Sequence, residues 1–185
     1  YCLDEMKQKL KYLLILGLII FTQSGCEKIN QLTVFDLDYD SQVVIESLIG
    51  INLPFNLATP EIETNSESSF EINDTRKDLI EEVTLKQIKL EISDPIDGDF
   101  SFLESIKIYI SSENLEEKLI AWNEAVDPEA GNIIILETSN DDLQEYVKND
   151  QIALRVNAVT DKLLLTDYTI DINSIFTIDA RILGI

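Results

Sequence analysis

Carboxylates are the groups in this 185-residue chain whose types and spacing could do chemistry. Three aspartates alternate in Asp36-Leu37-Asp38-Tyr39-Asp40, and three more, Asp94, Asp97 and Asp99, crowd one short stretch with Pro95 and Gly98. Such sets suit a calcium ion, and paired acids also cleave glycosidic bonds. The first set misses the EF-hand pattern, because Ser41 and Ser47 stand where that loop needs glycine and glutamate. On a strand, its period of two would put all three side chains on one solvent face. Asp94, Asp97 and Asp99 are the better calcium candidates, since a loop can fold carboxylates and carbonyls around an ion. Turn formation is the commoner use of such residues. Among 35 acidic side chains, pairs of the hydrolytic kind arise in any case and select nothing. A sugar-cleaving groove also needs aromatic platforms, and the one tryptophan, Trp122, shares strand parity with Ile120 and reads as core.

The missing residue types narrow the chemistry further. There is no histidine, which excludes His-based triads, His proton shuttles and His-liganded zinc. The six glycines are scattered, so no phosphate-cradling loop forms, and no cofactor is expected. Two cysteines remain, Cys2 and Cys26.

Cys26 has a context of its own. Lys7, Lys9 and Lys11 precede an apolar run of ten residues, Tyr12 to Phe21, and Thr22-Gln23-Ser24-Gly25-Cys26 follows. A membrane-spanning helix needs roughly 20 apolar residues. A buried core helix would show a polar face, and Leu13 to Phe21 shows none. The order of charged, apolar and small residues is that of a cleavable export signal. With Gly25-Cys26 at its end, the segment resembles a bacterial lipoprotein precursor. Gln23 stands where that pattern favours leucine or a branched residue, as in the looser lipoboxes of Bacteroidetes. The resemblance implies cleavage before Cys26 and acylation of its thiol, giving a membrane anchor. Met6 is the only methionine, so the expected start is Met6, with residues 1–5 an upstream artefact. Residues 6–25 are then the signal peptide, 26–32 a tether and 33–185 the folded domain.

Without residues 1–25 the chain keeps 11 basic and 33 acidic side chains, a net charge near −22. A surface of that sign repels nucleic acid and anionic headgroups. It suits solubility, or attraction for cations or a basic partner. Recurring isoleucine, leucine, valine and phenylalanine rule out a disordered chain.

Alternation marks the strands. Phe35, Leu37, Tyr39, Val43 and Ile45 form one apolar face. Strong strands follow over 83–93, 106–110, 118–123, 133–136, 152–158 and 170–182. Parity slips between Leu85 and Ile88, which predicts a bulge at Lys86-Gln87. Leu53-Pro54-Phe55 and Thr59-Pro60 suggest edge-like extended chain, with Ile62 and Phe70 at the core margin. Asn73-Asp74-Thr75 offers a cap for a short turn of helix through Leu79-Ile80, and Phe100 to Glu104 one helical turn. One short helix is predicted near 140–148, capped by Asn140, with Leu143, Tyr146 and Val147 on its inner face. The pattern is all-β: an antiparallel immunoglobulin-like β-sandwich of seven or eight strands, preceded by a signal-peptide helix.

In size, lipobox and the run from Phe70 through Trp122 to Phe176, the chain resembles small uncharacterised lipoproteins of flavobacteria. That resemblance implies an envelope location, at the outer membrane facing the periplasm or at the cell surface, and no assigned activity. The reading is a lipoprotein held to the membrane by Cys26, with a non-catalytic binding or structural role and an envelope protein or glycan as partner. The alternatives are a carbohydrate- or calcium-associated binding module and a carboxylate-dependent hydrolase.

Overall fold

The computed structural model describes residues 34–47 and 52–181. The expected signal segment and its helix, Cys26, the tether and Ile182 lie outside the described residues.

Ten strands are present among them. They are β1 (Val34–Ile45), β2 (Pro54–Ala58), β3 (Ile62–Glu63), β4 (Ile80–Asp94), β5 (Leu103–Ser112), β6 (Leu115–Asn123), β7 (Ile133–Ile135), β8 (Glu137–Thr138), β9 (Gln151–Thr160) and β10 (Tyr168–Ala180). They make two sheets, ordered β1-β10-β4-β7 and β2-β9-β5-β6-β8, with β3 also paired to β9. The fold is an antiparallel β-sandwich. The strands beyond the expected number are β2, β3 and β8, of five, two and two residues, too short to show alternation in sequence.

Period two built the core as anticipated. Along β10, Ile170, Ile172, Ser174, Phe176, Ile178 and Ala180 all face inward, and Val83, Leu85, Ile88, Leu90 and Ile92 of β4 meet them. Ile106, Ile108 and Ile110 of β5 and Ile152, Leu154, Val156 and Ala158 of β9 supply the opposing layer. Tyr39 packs edge-on against Phe176, ring centroids 5.8 Å apart. Each large aliphatic side chain sealed here contributes about 1.5–3 kcal/mol through removal from water. The slip in β4 is a bulge: Gln87 pairs with Ile175 and Leu85 with Phe176, so Lys86 is the extra residue. That keeps both Leu85 and Ile88 inside.

The edges carry breaks. β2 and β3 share β9 but are separated at Thr59-Pro60-Glu61. Pro60 has no N–H to give the ladder, and the Thr59 hydroxyl accepts the Leu154 N–H instead, at 3.0 Å.

Three local expectations change. A helix, α1, covers Ser66–Ile72, ahead of Asn73-Asp74-Thr75, which ends it rather than starting one. Only a 3-10 turn, Lys77–Leu79, follows. Its signal was absent because Phe70 alone anchors it apolarly, while Ile72 is 82% exposed. The second helix, α2, is shorter than predicted, Gln144–Val147. Asn140 does not cap it: Leu143 stands at the N-cap, and Asp142 before it accepts the Gln144 N–H at 3.0 Å. Leu143, Tyr146 and Val147 are buried as expected. The third change concerns Trp122. Ala121 pairs with Ile108 but Leu119 with Tyr109, so Ile120 is an extra residue. Ile120 and Ala121 both turn inward, and Trp122 is carried to the outer face opposite Lys107. It is not a core residue.

Candidate functional site

Asp36, Asp38 and Asp40 share the solvent face of β1, as their spacing required. Their partners come from the neighbouring strands. The Asn173 amide donates to Asp38 and Asp40, at 2.5 and 2.9 Å. Thr177 donates to Asp36 at 2.8 Å, and the bulge residue Lys86 reaches Asp36 across β10. The Lys86 hydrogen bond, with that from Thr177, holds the Asp36 carboxyl below the usual aspartate range. A charged row on a twelve-residue edge strand also discourages pairing with another chain.

The second set is dispersed. Asp94 ends β4 opposite Thr169. Asp97 is exposed on the turn, and Asp99 caps the 3-10 turn Phe100–Phe102 by accepting the Ser101 N–H at 2.9 Å. Hydrogen bonds from the Ser101 hydroxyl and N–H, with Lys162 nearby, lower its pKa. Gly98 is demanded by packing: a Cβ there would meet the Ile92 side chain at 2.8 Å and the Pro95 carbonyl at 2.9 Å. Among the described residues, no three acidic or thiol side chains are gathered as a metal would need.

What the strand register does assemble is a row across the outer face of the larger sheet. Glu137, Trp122, Lys107, Asn157 and Asn56 stand opposite one another on β8, β6, β5, β9 and β2. Four strand spacings of about 4.8 Å make the row roughly 19 Å long. Trp122 gives its indole N–H to Glu137 at 3.1 Å, which leaves the ring half-buried on the solvent side. Asn157 donates to Asn56 at 3.0 Å.

The adjoining row is locked. Arg155 lies over the Tyr109 ring, its guanidinium carbon 4.1 Å from the centroid. It also grips Glu117 with two bonds of 2.7 and 2.6 Å and donates to Asn56. This fork lowers the Glu117 pKa, and the same contact raises that of Arg155. A planar guanidinium is suited to both the fork and the stack. The result is a flat polar platform with one indole, held in place by cross-strand bonds.

A concavity of about 740 Å³ opens between β1 and the β3–α1 segment. Asp38, Asp40, Glu61, Glu63 and Asp171 line it. On its floor the buried Tyr39 hydroxyl donates to the Thr64 carbonyl at 3.0 Å, and burial pushes the Tyr39 pKa up to about 12. Asp38, Asp40 and Asp171 are engaged by Asn173 and Gln42, so they serve the fold as they stand.

No family model matches the chain, and no curated protein sequence matches it. Among solved structures it is similar to the crystal structure of FLHE, at 8% identity over 79% of this chain and 98% of that one, with a TM-score of 0.33. A turnip yellow mosaic virus chain is similar at 9% identity over 82% and 98%, TM-score 0.26. A third similarity is to a structure described as the basis for the promiscuous specificity of carbohydrate-binding modules of the β-sandwich superfamily. It has 12% identity over 79% of this chain and 57% of that one, TM-score 0.28.

Proposed function

We propose that the chain is an envelope lipoprotein, anchored through an acylated Cys26, whose β-sandwich binds a partner and catalyses nothing. The N-terminal segment supports the anchor. The observation that carries the second half is how the carboxylates are used. A general acid must hold its proton near neutral pH, which needs a raised pKa. Asp36, Asp99, Glu117, Asp142 and Asp167 all shift downward. Each is spent on the fold: a strand ladder, a turn, a cross-strand fork, a clasp between helix and strand, and a loop closure to Ser47.

Fractionation with and without globomycin tests the anchor. Wild type sediments with membranes and Cys26→Ser becomes soluble; a Cys26→Ser chain retained in membranes refutes it. On this reading the domain faces the periplasm from the outer membrane, and its release by protease from intact cells would move it to the surface.

Trp122 on the outer face favours one second reading, a carbohydrate-binding module. An indole beside amide and ammonium groups can stack on the C–H face of a sugar and hydrogen-bond its hydroxyls. A glycan array on wild type and Trp122→Ala tests it: binders lost in the variant support the platform, and an array that does not distinguish the two proteins removes it. Calorimetric titration with calcium tests the other binding alternative, and turnover in a substrate screen, abolished by an Asp or Glu substitution, would restore the hydrolase.

A further inference from the structure

The loops at one pole of the sandwich carry more apolar surface than their folding uses. The 161–167 loop follows β9, and in Leu163-Leu164-Leu165 only Leu164 is buried, 5% exposed. Its neighbours Leu163 and Leu165 are 52% and 84% exposed. Ile96, on the turn after β4, is 90% exposed, and Leu53, just before β2, is 64% exposed. Isolated exposed leucines need no explanation, but these four of the nine large exposed apolar side chains among the described residues share one end of the sandwich. Hydrogen bonds tie their loops together: Asn52 N–H to Thr160 carbonyl, Asp161 N–H to Phe102 carbonyl, and Lys162 to the Ser101 hydroxyl. The Phe102 and Tyr168 rings, 4.8 Å apart, close the seam beneath.

The charges around the tips have one sign. Glu46, Asp94, Asp97, Asp99, Asp161 and Asp167 are all exposed on these loops, and Lys162 is the one basic side chain on their described residues. That rim opposes an anionic lipid surface and a second copy of the same rim. It complements an apolar surface flanked by lysine or arginine. The pole also lies at the far end of β1 from Asp36, about 30 Å away along the strand.

We infer that this acid-rimmed apolar pole docks a protein partner, through a surface of apolar residues bordered by basic ones. The inference is independent of the outer-face platform, which lies on the side of the larger sheet. The test titrates the purified chain into a labelled amphipathic helical peptide with a leucine face and lysine flanks. An otherwise identical peptide with glutamate flanks and phosphatidylcholine vesicles serve as alternative ligands.

Saturable binding of the lysine peptide alone is expected. Ile96→Ser and Leu165→Ser should each weaken it at least tenfold, and Asp94→Asn with Asp97→Asn severalfold. Ile72→Ser, equally exposed but on α1, should leave it unchanged, and circular dichroism melts confirm that the variants fold. The inference is overturned if the lysine peptide does not saturate, if the glutamate peptide binds as well, or if Ile96→Ser and Leu165→Ser act no more than Ile72→Ser. Preferential binding to vesicles would overturn it in favour of lipid, and self-association abolished by Leu165→Ser would do so in favour of a second copy.

Discussion

Replacing Asp142 by alanine should separate α2 from β4. The carboxylate accepts two backbone N–H groups, Gln144 at 3.0 Å and Val83 at 3.1 Å. The next residue, Leu143, donates to the Val83 carbonyl at 2.7 Å, so one side chain and one amide clamp both backbone groups of a fully buried strand residue. Loss of the bond to the first helical N–H costs about 1 kcal/mol. The Val83 N–H, stranded without a partner, adds about 1–3 kcal/mol, and partial access of water puts it at the low end. The sum is about 2–3 kcal/mol, a fall in Tm of about 5–10 °C for a domain of this size. Asp142→Asn keeps an acceptor and should cost less than about 1 kcal/mol. Urea unfolding followed by circular dichroism reads both, as a shift in midpoint at constant slope.

The pH dependence gives a second arm. Burial pushes the Asp142 pKa up, but hydrogen bonds from Val83 and from the Gln144 backbone and side chain, with Lys148 nearby, outweigh it and leave the pKa lowered. The charge therefore stabilises above the unfolded value near 3.9 and loses its effect as pH falls through the folded value. The margin of wild type over Asp142→Asn should shrink in that acid window. An alanine variant within about 0.5 kcal/mol of wild type, or an asparagine variant as weak as alanine, would refute the clamp.

Three further outcomes are expected. Tyr39→Phe should cost about 1 kcal/mol for the lost bond to Thr64; wild type should also lose stability as pH rises from about 10 to about 12, where the unfolded but not the folded phenol ionises, a loss absent from the variant in alkaline melts. Phe176→Ala, at a fully buried site against Tyr39, should cost about 3–5 kcal/mol in urea unfolding. Lys86→Ala removes an exposed ion pair and should cost at most about 1 kcal/mol, and deleting Lys86 should straighten the bulge while Leu85 stays opposite Phe176 and Gln87 opposite Ile175, so that Leu85 and Ile88 both remain inside and urea unfolding stays cooperative.

The main strands and the Lys86 bulge were legible because apolar parity is recorded residue by residue, and its slip between Leu85 and Ile88 has one simple geometric meaning. Trp122 shows the limit. Leu119-Ile120-Ala121-Trp122 is apolar throughout, so the run holds no parity from which the bulge at Ile120 could be read. The helix α1 was hidden for the opposite reason, since a serine- and glutamate-rich segment needs only Phe70 to dock. Local composition placed Asp36, Asp38 and Asp40 correctly on a solvent face. The platform was illegible because its members lie between positions 56 and 157 on five strands, and only register brings them into line. The apolar pole was equally hidden: the leucine triplet is plain in sequence, but its nearness to Ile96 and Leu53 depends on where three loops end.

The pairing of β1 with β10 joins the first described strand to the last. No partial chain can complete the smaller sheet, because β10 fills the position between β1 and β4. Until β10 is in place, β1 lacks its neighbour in that sheet. The same arrangement makes closure slow, since contacts between distant segments require a long loop to be ordered first. For this topology, β10 is the latch that completes the smaller sheet.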